Sequence, residues 1–327
     1  MPEFDLIRRL QEIISIPSGR YAAKCLVGIG DDGAVLDIPD HCELVVCTDT
    51  LVAGVHFPME TDPAAIGHKA LAVNLSDLAA MGAEPAWFFM ALTLPSEDRA
   101  WLDAFSHGMA ELASKARITL AGGDTTSGPL SITITALGLI EKGKALVRSG
   151  AADRDLIVLS GTPGAAAHAL KKLNRGEVPA PSDRMALEYP VPRLKLGLAL
   201  DGLATACIDI SDGLLADLGH ILEQSGAGAE VELDKLPCPL SVIKLSDQER
   251  WSLQLAGGDD YELCFTIRPE SVVELAEISR SCEVELTVIG VINDKQGLAL
   301  RTSNGELYDP EFTAYRHFDQ QGVKGLD

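Results

Sequence analysis

Aspartate recurs beside glycine, serine or threonine at six places along the chain. They are Gly28-Ile29-Gly30-Asp31-Asp32-Gly33, Thr48-Asp49-Thr50, Asn74-Leu75-Ser76-Asp77, Gly122-Gly123-Asp124-Thr125-Thr126-Ser127-Gly128, Asp209-Ile210-Ser211-Asp212-Gly213 and Gly257-Gly258-Asp259-Asp260-Tyr261-Glu262. Glycines let a backbone approach a ligand closely, and exposed N–H groups can cradle phosphate. Carboxylates repel phosphate directly, but they become useful when a hard cation such as Mg²⁺ stands between the two. Any one of the clusters could be a solvated acidic turn or a helix cap. Six in one chain read as a nucleotide site that uses several Mg²⁺ ions.

The first cluster formally matches the dinucleotide fingerprint G-x-G-x-x-G. That fingerprint must open a helix whose N-terminus faces pyrophosphate, whereas Ala34–Ile38 reads as a strand that Pro39 ends. Two carboxylates in the turn would also face the pyrophosphate, so the dinucleotide reading fails. Thr48-Asp49-Thr50 is expected at the carboxyl end of a strand over Leu44–Cys47, with His56 downstream as a contact or a structural histidine. Asn74 and Asp77 share a face of an otherwise apolar helix, where an unpaired carboxylate would be costly. Gly122–Gly128 reads as a glycine-rich loop, and Arg148 beyond the next strand could neutralise phosphate charge. Asp209 and Asp212 flank Ser211 just before a helix that carries Asp217. Gly161-Thr162-Pro163-Gly164 lacks the Gly-Lys-Ser/Thr of a Walker loop, and no H-R-D, G-x-S-x-G or H-E-x-x-H occurs.

The elements that must hold these residues follow from periodicity. Leu6, Ile7, Leu10, Ile13 and Ile14 fall at helical spacing. Asp62-Pro63 is an N-cap and first-turn pair for a helix running to about Met81, where Gly82 stops it. Trp87–Leu94 and Ser131–Ile140 read as strands, and Ser96-Glu97-Asp98 starts a helix between them. The pattern breaks near Glu141–Asp153, so the expected domains are 1–145 and 146–327. Strands and helices mix in both halves, which predicts an α/β or α+β fold.

Composition narrows the partners. The chain has 327 residues and a formal net charge of −21, from 48 acidic against 27 basic residues. Such a surface repels nucleic acid and anionic membrane, so neither is an expected partner. Seven cysteines, an odd number with no C-x-x-C pair, argue against a disulfide scaffold or a structural zinc site. The charged amphipathic N-terminus lacks a signal-peptide core and no apolar run spans a bilayer, so the expected location is the cytoplasm.

Beyond these features, the chain resembles the thiamine-monophosphate kinase family, within the aminoimidazole ribonucleotide synthetase-like superfamily. The matching stretches begin at Gly28 (GIGDDGAVL), Thr48 (TDTLVAGVHF), Lys69 (KALAVNLSDLAAMGAEPAW), Gly122 (GGDTTSGPL), Arg148 (RSGA), Gly161 (GTPG), Ile208 (IDISDGLLADLGH) and Gly257 (GGDDYELCF). The resemblance implies a two-domain fold, with an N-terminal ATP- and Mg-binding domain whose sheet joins its twin in a homodimer, and a C-terminal α/β domain. It implies transfer of the ATP γ-phosphoryl group to thiamine monophosphate, giving thiamine diphosphate. By position it implies Asp32, Thr48, Asp49, Asp77, Asp124, Asp209 and Asp212 as metal-site residues. It implies ATP contacts at Gly123, Asp124, Arg148 and Ser211, and substrate contacts at His56, Asp259 and Tyr315. No general base is expected, because the acceptor is already an anionic oxygen nucleophile. The competing readings are a sibling ATP-dependent synthetase and a non-catalytic nucleotide- or metal-binding protein. The first would need a reactive cysteine in a defined place, and the second would not need every cluster retained.

Overall fold

The computed structural model describes residues 3–14 and 19–310. In chain order the elements are α1 (Glu3–Ile14), β1 (Cys25–Val27), β2 (Val35–Leu36), β3 (Cys42–Val52), α2 (Pro63–Ala80), β4 (Glu84–Leu94), α3 (Arg99–Ala116), β5 (Thr119–Ser127) and β6 (Ser131–Glu141). Next come β7 (Leu156–Ser160), α4 (Ala165–Leu173), α5 (Pro181–Glu188), α6 (Leu194–Ala199), β8 (Ala204–Asp209), α7 (Leu214–Ser225) and β9 (Gly228–Glu232). The described chain closes with α8 (Asp247–Ala256), β10 (Leu263–Ile267), α9 (Leu275–Cys282), β11 (Leu286–Asn293), β12 (Gly297–Arg301) and β13 (Leu307–Tyr308). Two compact units result. One takes in Met1–Val147 and Glu188–Ala204, the other Arg148–Leu187 and Thr205–Asp327. The segment with α6 therefore belongs with the N-terminal elements, because Gly197 lets α6 lie on α2: a Cβ there would stand 2.0 Å from the Ala79 carbonyl oxygen.

In the first unit β3, β6, β4 and β5 form a four-stranded sheet in that order, with β4 and β5 parallel and the other pairs antiparallel. Helix α2 starts as its sequence dictates: the Asp62 side chain accepts from the Ala64 N–H at 2.8 Å, and Pro63 occupies the first turn. Such a cap contributes about 1 kcal/mol. The apolar α2 is buried on nearly every side, packed on β3 and β6, on α3 and on α6. It meets α3 backbone to backbone, since a Cβ on Gly67 would lie 2.0 Å from Phe105 O and one on Gly108 would lie 1.9 Å from Ala64 O.

The register sorts this sheet into two faces. Cys47, Asp49, Ile134, Met90 and Leu92 face the helices. Thr48, Thr50, Thr133, Ala91 and Asp124 share the opposite face. On that opposite face the segment around β1 and β2 covers one end, packing Tyr21, Cys25, Leu36 and Ile38 on Trp87, Ala121, Leu137 and Leu139.

The second unit holds a seven-stranded sheet ordered β13-β12-β9-β11-β7-β10-β8. Its core gathers Ile157, Leu159, Ile208, Leu218, Ile221, Trp251, Leu255 and Ile289. Strands β8 and β9 were not expected from periodicity. Their first residues, Ala204 and Gly228, carry weak strand propensity, and tertiary pairing forms them. Among the described residues, no helix is long and apolar enough to cross a membrane.

Candidate functional site

In the first unit the candidate residues are carried by one long strand. β3 runs through Val52 rather than ending at Cys47, so Asp49 sits within the strand and not at its end. Residues 42–52 all pair with β6, which extends the strand past the polar Thr48-Asp49-Thr50. Thr48 and Thr50 face outward and bond Thr135 and Thr133 hydroxyl to hydroxyl, at 2.9 and 2.8 Å. Asp49 points the other way, toward α2.

There α2 receives it. The Asp49 N–H donates to Asn74 Oδ1 at 3.1 Å, and Asn74 Nδ2 donates to Ala70 O at 3.2 Å. Asn74 thus spends its amide fixing strand to helix and leaves Asp77, three residues on, to meet Asp49. Asp77 stands beside the Asp49 carboxyl. Burial raises the Asp49 pKa, and the neighbouring Asp77 and His56 oppose that rise. His56 is held by its own turn: Nδ1 accepts from the Val52 N–H at 3.0 Å, which leaves Nε2 to carry the ring proton. Cys47 lies one residue pair back on the same face. Burial first, then the Asp77 and Asp49 charges, push its thiol well above the ordinary range, so it stays neutral.

The other N-terminal candidates lie elsewhere on the sheet. Gly122-Gly123-Asp124 is strand, not loop: β5 continues through it after a bulge beside Phe88 and Phe89. Gly123 has no room for a side chain, because a Cβ would stand 2.0 Å from Met90 O. Asp124 is exposed on the outward face, in the row Thr50–Thr133–Ala91–Asp124. Three strand spacings separate the ends of that row, about 14 Å. Asp124 and Thr48 therefore do not join Asp49 and Asp77 within the unit. Asp32 is exposed on the turn between β1 and β2, whose Gly28 approaches the Ala121 carbonyl of β5.

In the second unit the fifth and sixth clusters are stitched together. Ile210 N–H donates to Glu262 O at 2.8 Å, Tyr261 N–H to Ile210 O at 2.8 Å, and Asp259 N–H to Ser211 O at 2.9 Å. Asp209 ends β8 almost fully buried. Asp217, one turn into α7, accepts from the N–H groups of Ser211, Asp212 and Gly213 at 3.0, 3.1 and 3.1 Å. Burial and the charges of Asp209 and Asp212 raise its pKa to about 7 against the pull of those N–H groups. Asp259 and Tyr261 take left-handed backbone angles, φ 67° and 50°, and the Tyr261 hydroxyl donates to Asp259 Oδ1 at 3.0 Å. Strain of about 1 kcal/mol or more at a non-glycine residue marks a position held for a purpose.

Arg148 stands apart from this cluster. Its carbonyl accepts from Ser225 Oγ at 3.3 Å, at the far end of α7 from Ser211. The twelve residues of α7 put about 18 Å between those ends. Tyr315 lies outside the described residues. Asp260, Glu262 and Gly164 also enter the cluster; the run Gly257–Glu262 hinted at the first two, and the turn Gly161–Gly164 at the third. Among the described residues, no three or more His, Cys, Asp or Glu converge into a ready metal cage.

Comparison with known proteins agrees with this architecture. Residues 30–140 match the AIR synthase related protein N-terminal domain, and residues 141–303 the corresponding C-terminal domain. A thiamine-monophosphate kinase of Haemophilus influenzae is 45% identical over 304 residues, 91% of each chain. The crystal structure of thiamine-monophosphate kinase from Stenotrophomonas maltophilia K279a superposes with a TM-score of 0.85 at 44% identity, over 94% of this chain and 98% of that one. A further structure, AaThiL complexed with AMPPCP and TMP, gives 0.76 at 27% identity over 97% of both chains. With two-domain coverage and such identity along nearly its whole length, the chain belongs to the thiamine-monophosphate kinase family.

Proposed function

We propose that this phosphotransferase moves the γ-phosphoryl group of ATP to thiamine monophosphate by one in-line, Mg²⁺-assisted displacement, giving thiamine diphosphate and ADP. The observation that carries the reading is the strand-to-helix contact that sets Asp49 beside Asp77, aligned by Asn74 and flanked by His56, in a chain that matches this family over nine-tenths of its length. The solved relative that holds AMPPCP and TMP together supports ATP and thiamine monophosphate as the two substrates.

The donor set fits Mg²⁺. Hard carboxylate oxygens in pairs suit a cation that takes one or two protein carboxylates and completes its shell with water and phosphate oxygens. Asp49 and Asp77 would hold one such ion on the first unit, Asp32, Thr48 and Asp124 others apart from that pair, and Asp209 and Asp212 would serve on the second. When bound, Mg²⁺ screens the charge between acceptor and γ-phosphate and orients the displacement. The chain's own residues then act by position. Asn74 locks Asp49, Asp217 holds the Ser211–Gly213 backbone in place, and the His56 ring is oriented toward the acceptor by its bond to Val52. Gly123 and Asp124 serve the nucleotide. Ser211 and Arg148, a helix length apart, serve different portions of it. No side chain is required as a general base, because the acceptor phosphate is itself the nucleophile.

The reading also includes a homodimer joined through β3. That strand has one neighbour in its sheet and exposes Leu44 and Val46 on its outward face. An unpaired apolar edge of this kind calls for a cover.

The decisive experiment incubates the purified chain with ATP, Mg²⁺ and thiamine monophosphate and detects thiamine diphosphate by chromatography. The expected result is stoichiometric ADP and thiamine diphosphate, and none in excess chelator. ATP consumption that is independent of thiamine monophosphate would point instead to a sibling synthetase.

A further inference from the structure

The turn Gly161-Thr162-Pro163-Gly164 is the one sequence motif that the reaction scheme leaves without a role. It connects β7 to α4 and is gripped at both ends by acids from the segment that carries Asp259. At the first end, Ser160 Oγ donates to Glu262 Oε2 at 2.5 Å and accepts from the Leu263 N–H at 2.9 Å. The Glu262 carboxylate lies directly over Gly161, where a Cβ would stand 2.0 Å from Oε1. At the other end, the Gly164 N–H donates to Asp260 Oδ1 at 2.8 Å. Gly164 has φ +101°, and a Cβ there would press on Gln254 Cγ at 3.3 Å.

Asp260 is an unusual choice for this grip. Its Oδ2 is buried with no hydrogen-bond partner, and so is Gln254 Oε1, whose side chain flanks the same glycine. A buried carboxylate would lose several kcal/mol of hydration with only one N–H in return. Burial, reinforced by the charges of Glu262, Asp259 and Asp217, raises the Asp260 carboxyl well above the usual range against the pull of the Gly164 N–H. Its neighbour Asp259 is in the left-handed conformation, which L-residues keep only where surrounding contacts enforce it. The bonds to Ser211 and Tyr261 fix Asp259 on one side, and Asp260 is the link on the other.

We propose that Asp260 is a positioning residue for the acceptor: by tying the Gly161–Gly164 turn to the Gly257–Glu262 segment, it holds Asp259 where thiamine monophosphate binds. The inference rests on the reading of Asp259 as an acceptor contact. It makes the turn part of the acceptor wall and gives Thr162, exposed at its tip, a place beside that wall.

The test is calorimetric titration of thiamine monophosphate, and separately of ATP, into the full chain and three variants in the presence of Mg²⁺. Asp260→Asn keeps an oxygen acceptor for the Gly164 N–H in a side chain of the same shape, and is expected to bind thiamine monophosphate like the wild type. Asp260→Ala leaves the Gly164 N–H unpaired and is expected to weaken thiamine monophosphate about tenfold, as loss of one buried bond does, with ATP affinity unchanged. Should Asp260→Ala fail to fold, Asp260→Ser fills more of the site yet is too short to reach Gly164, and carries the same comparison. Asp259→Asn, run in parallel, tests the underlying reading. If it leaves thiamine monophosphate affinity intact, Asp259 is no acceptor contact. If it weakens binding while Asp260→Ala does not, or if Asp260→Ala weakens both ligands equally, the positioning role of Asp260 is overturned.

Discussion

Asp217 gives the proposed cation site of the second unit a signature in stability that needs no assay of turnover. Its carboxyl has a folded-state pKa of about 7, against 3.8 for the unconstrained side chain. The shift is upward, so folding takes up a proton. The stabilisation is complete below the unfolded value and is lost as pH rises through the folded one. From those two values the Asp217 contribution falls by roughly 3 kcal/mol between pH 5 and pH 8, where almost none remains. Asp217→Asn removes the titrating proton while an amide oxygen still accepts from Ser211, Asp212 and Gly213. Urea unfolding of wild type and variant in chelator, at pH 5 and pH 8, measures the difference. The wild type is expected to lose roughly 3 kcal/mol more than the variant over that interval. Mg²⁺ at pH 8 should narrow the gap by screening Asp209 and Asp212, whose charges help raise the pKa. Parallel losses in the two proteins would show that Asp217 is already ionised at pH 5 and that burial and its acidic neighbours are not acting on it as described.

Three further outcomes are expected. Asp49→Asn and Asp124→Asn should each lower turnover by about a hundredfold or more at limiting Mg²⁺, since an amide is a weak ligand for a hard cation; melting temperature should hold, and near-wild-type rates in both would make these aspartates ordinary strand residues. Chiral labelling of the γ-phosphate should show inversion at phosphorus, and incubation with labelled ATP alone should leave no label on protein, because one direct displacement needs no phosphoenzyme. Val46→Asp, which puts charge on the exposed edge of β3, should shift the mass seen by light scattering from dimer to monomer; an unchanged mass would place the dimer contact elsewhere.

Local rules made much of the fold legible, and long-range pairing accounts for what they missed. Asp62-Pro63 and Asp98 announced α2 and α3 because caps are written within four residues. The apolar circumference of α2 correctly foretold a buried helix with an Asn–Asp face. By contrast, Thr48-Asp49-Thr50 and Gly122-Gly123-Asp124 looked like strand ends and loops. Their hydrogen bonds come from β6 and β4, dozens of residues away in one case, and no local signal records them. The same limit hid the partition of the aspartates between two faces of one sheet, which follows from register alone. Arg148 could be picked out by its type, but not its place at the far end of α7, because Ser225 holds it across 77 residues. The stitching of Ser211 to Asp259 was likewise invisible, although both motifs had been singled out as chemistry.

The return of residues 188–204 to the first unit sets an order of events during synthesis. A ribosome that has released residues 1–147 has delivered the whole four-stranded sheet, yet α2 still lacks the helix that closes over Ala79 and Gly82. That apolar surface stays open until about 57 further residues emerge, among them β7, α4 and α5, which belong to the other unit. A fragment cut at the apparent boundary near 147 should therefore aggregate. A version in which 188–204 is joined to 1–147 by a short linker should fold, making the first unit one body from two pieces of chain.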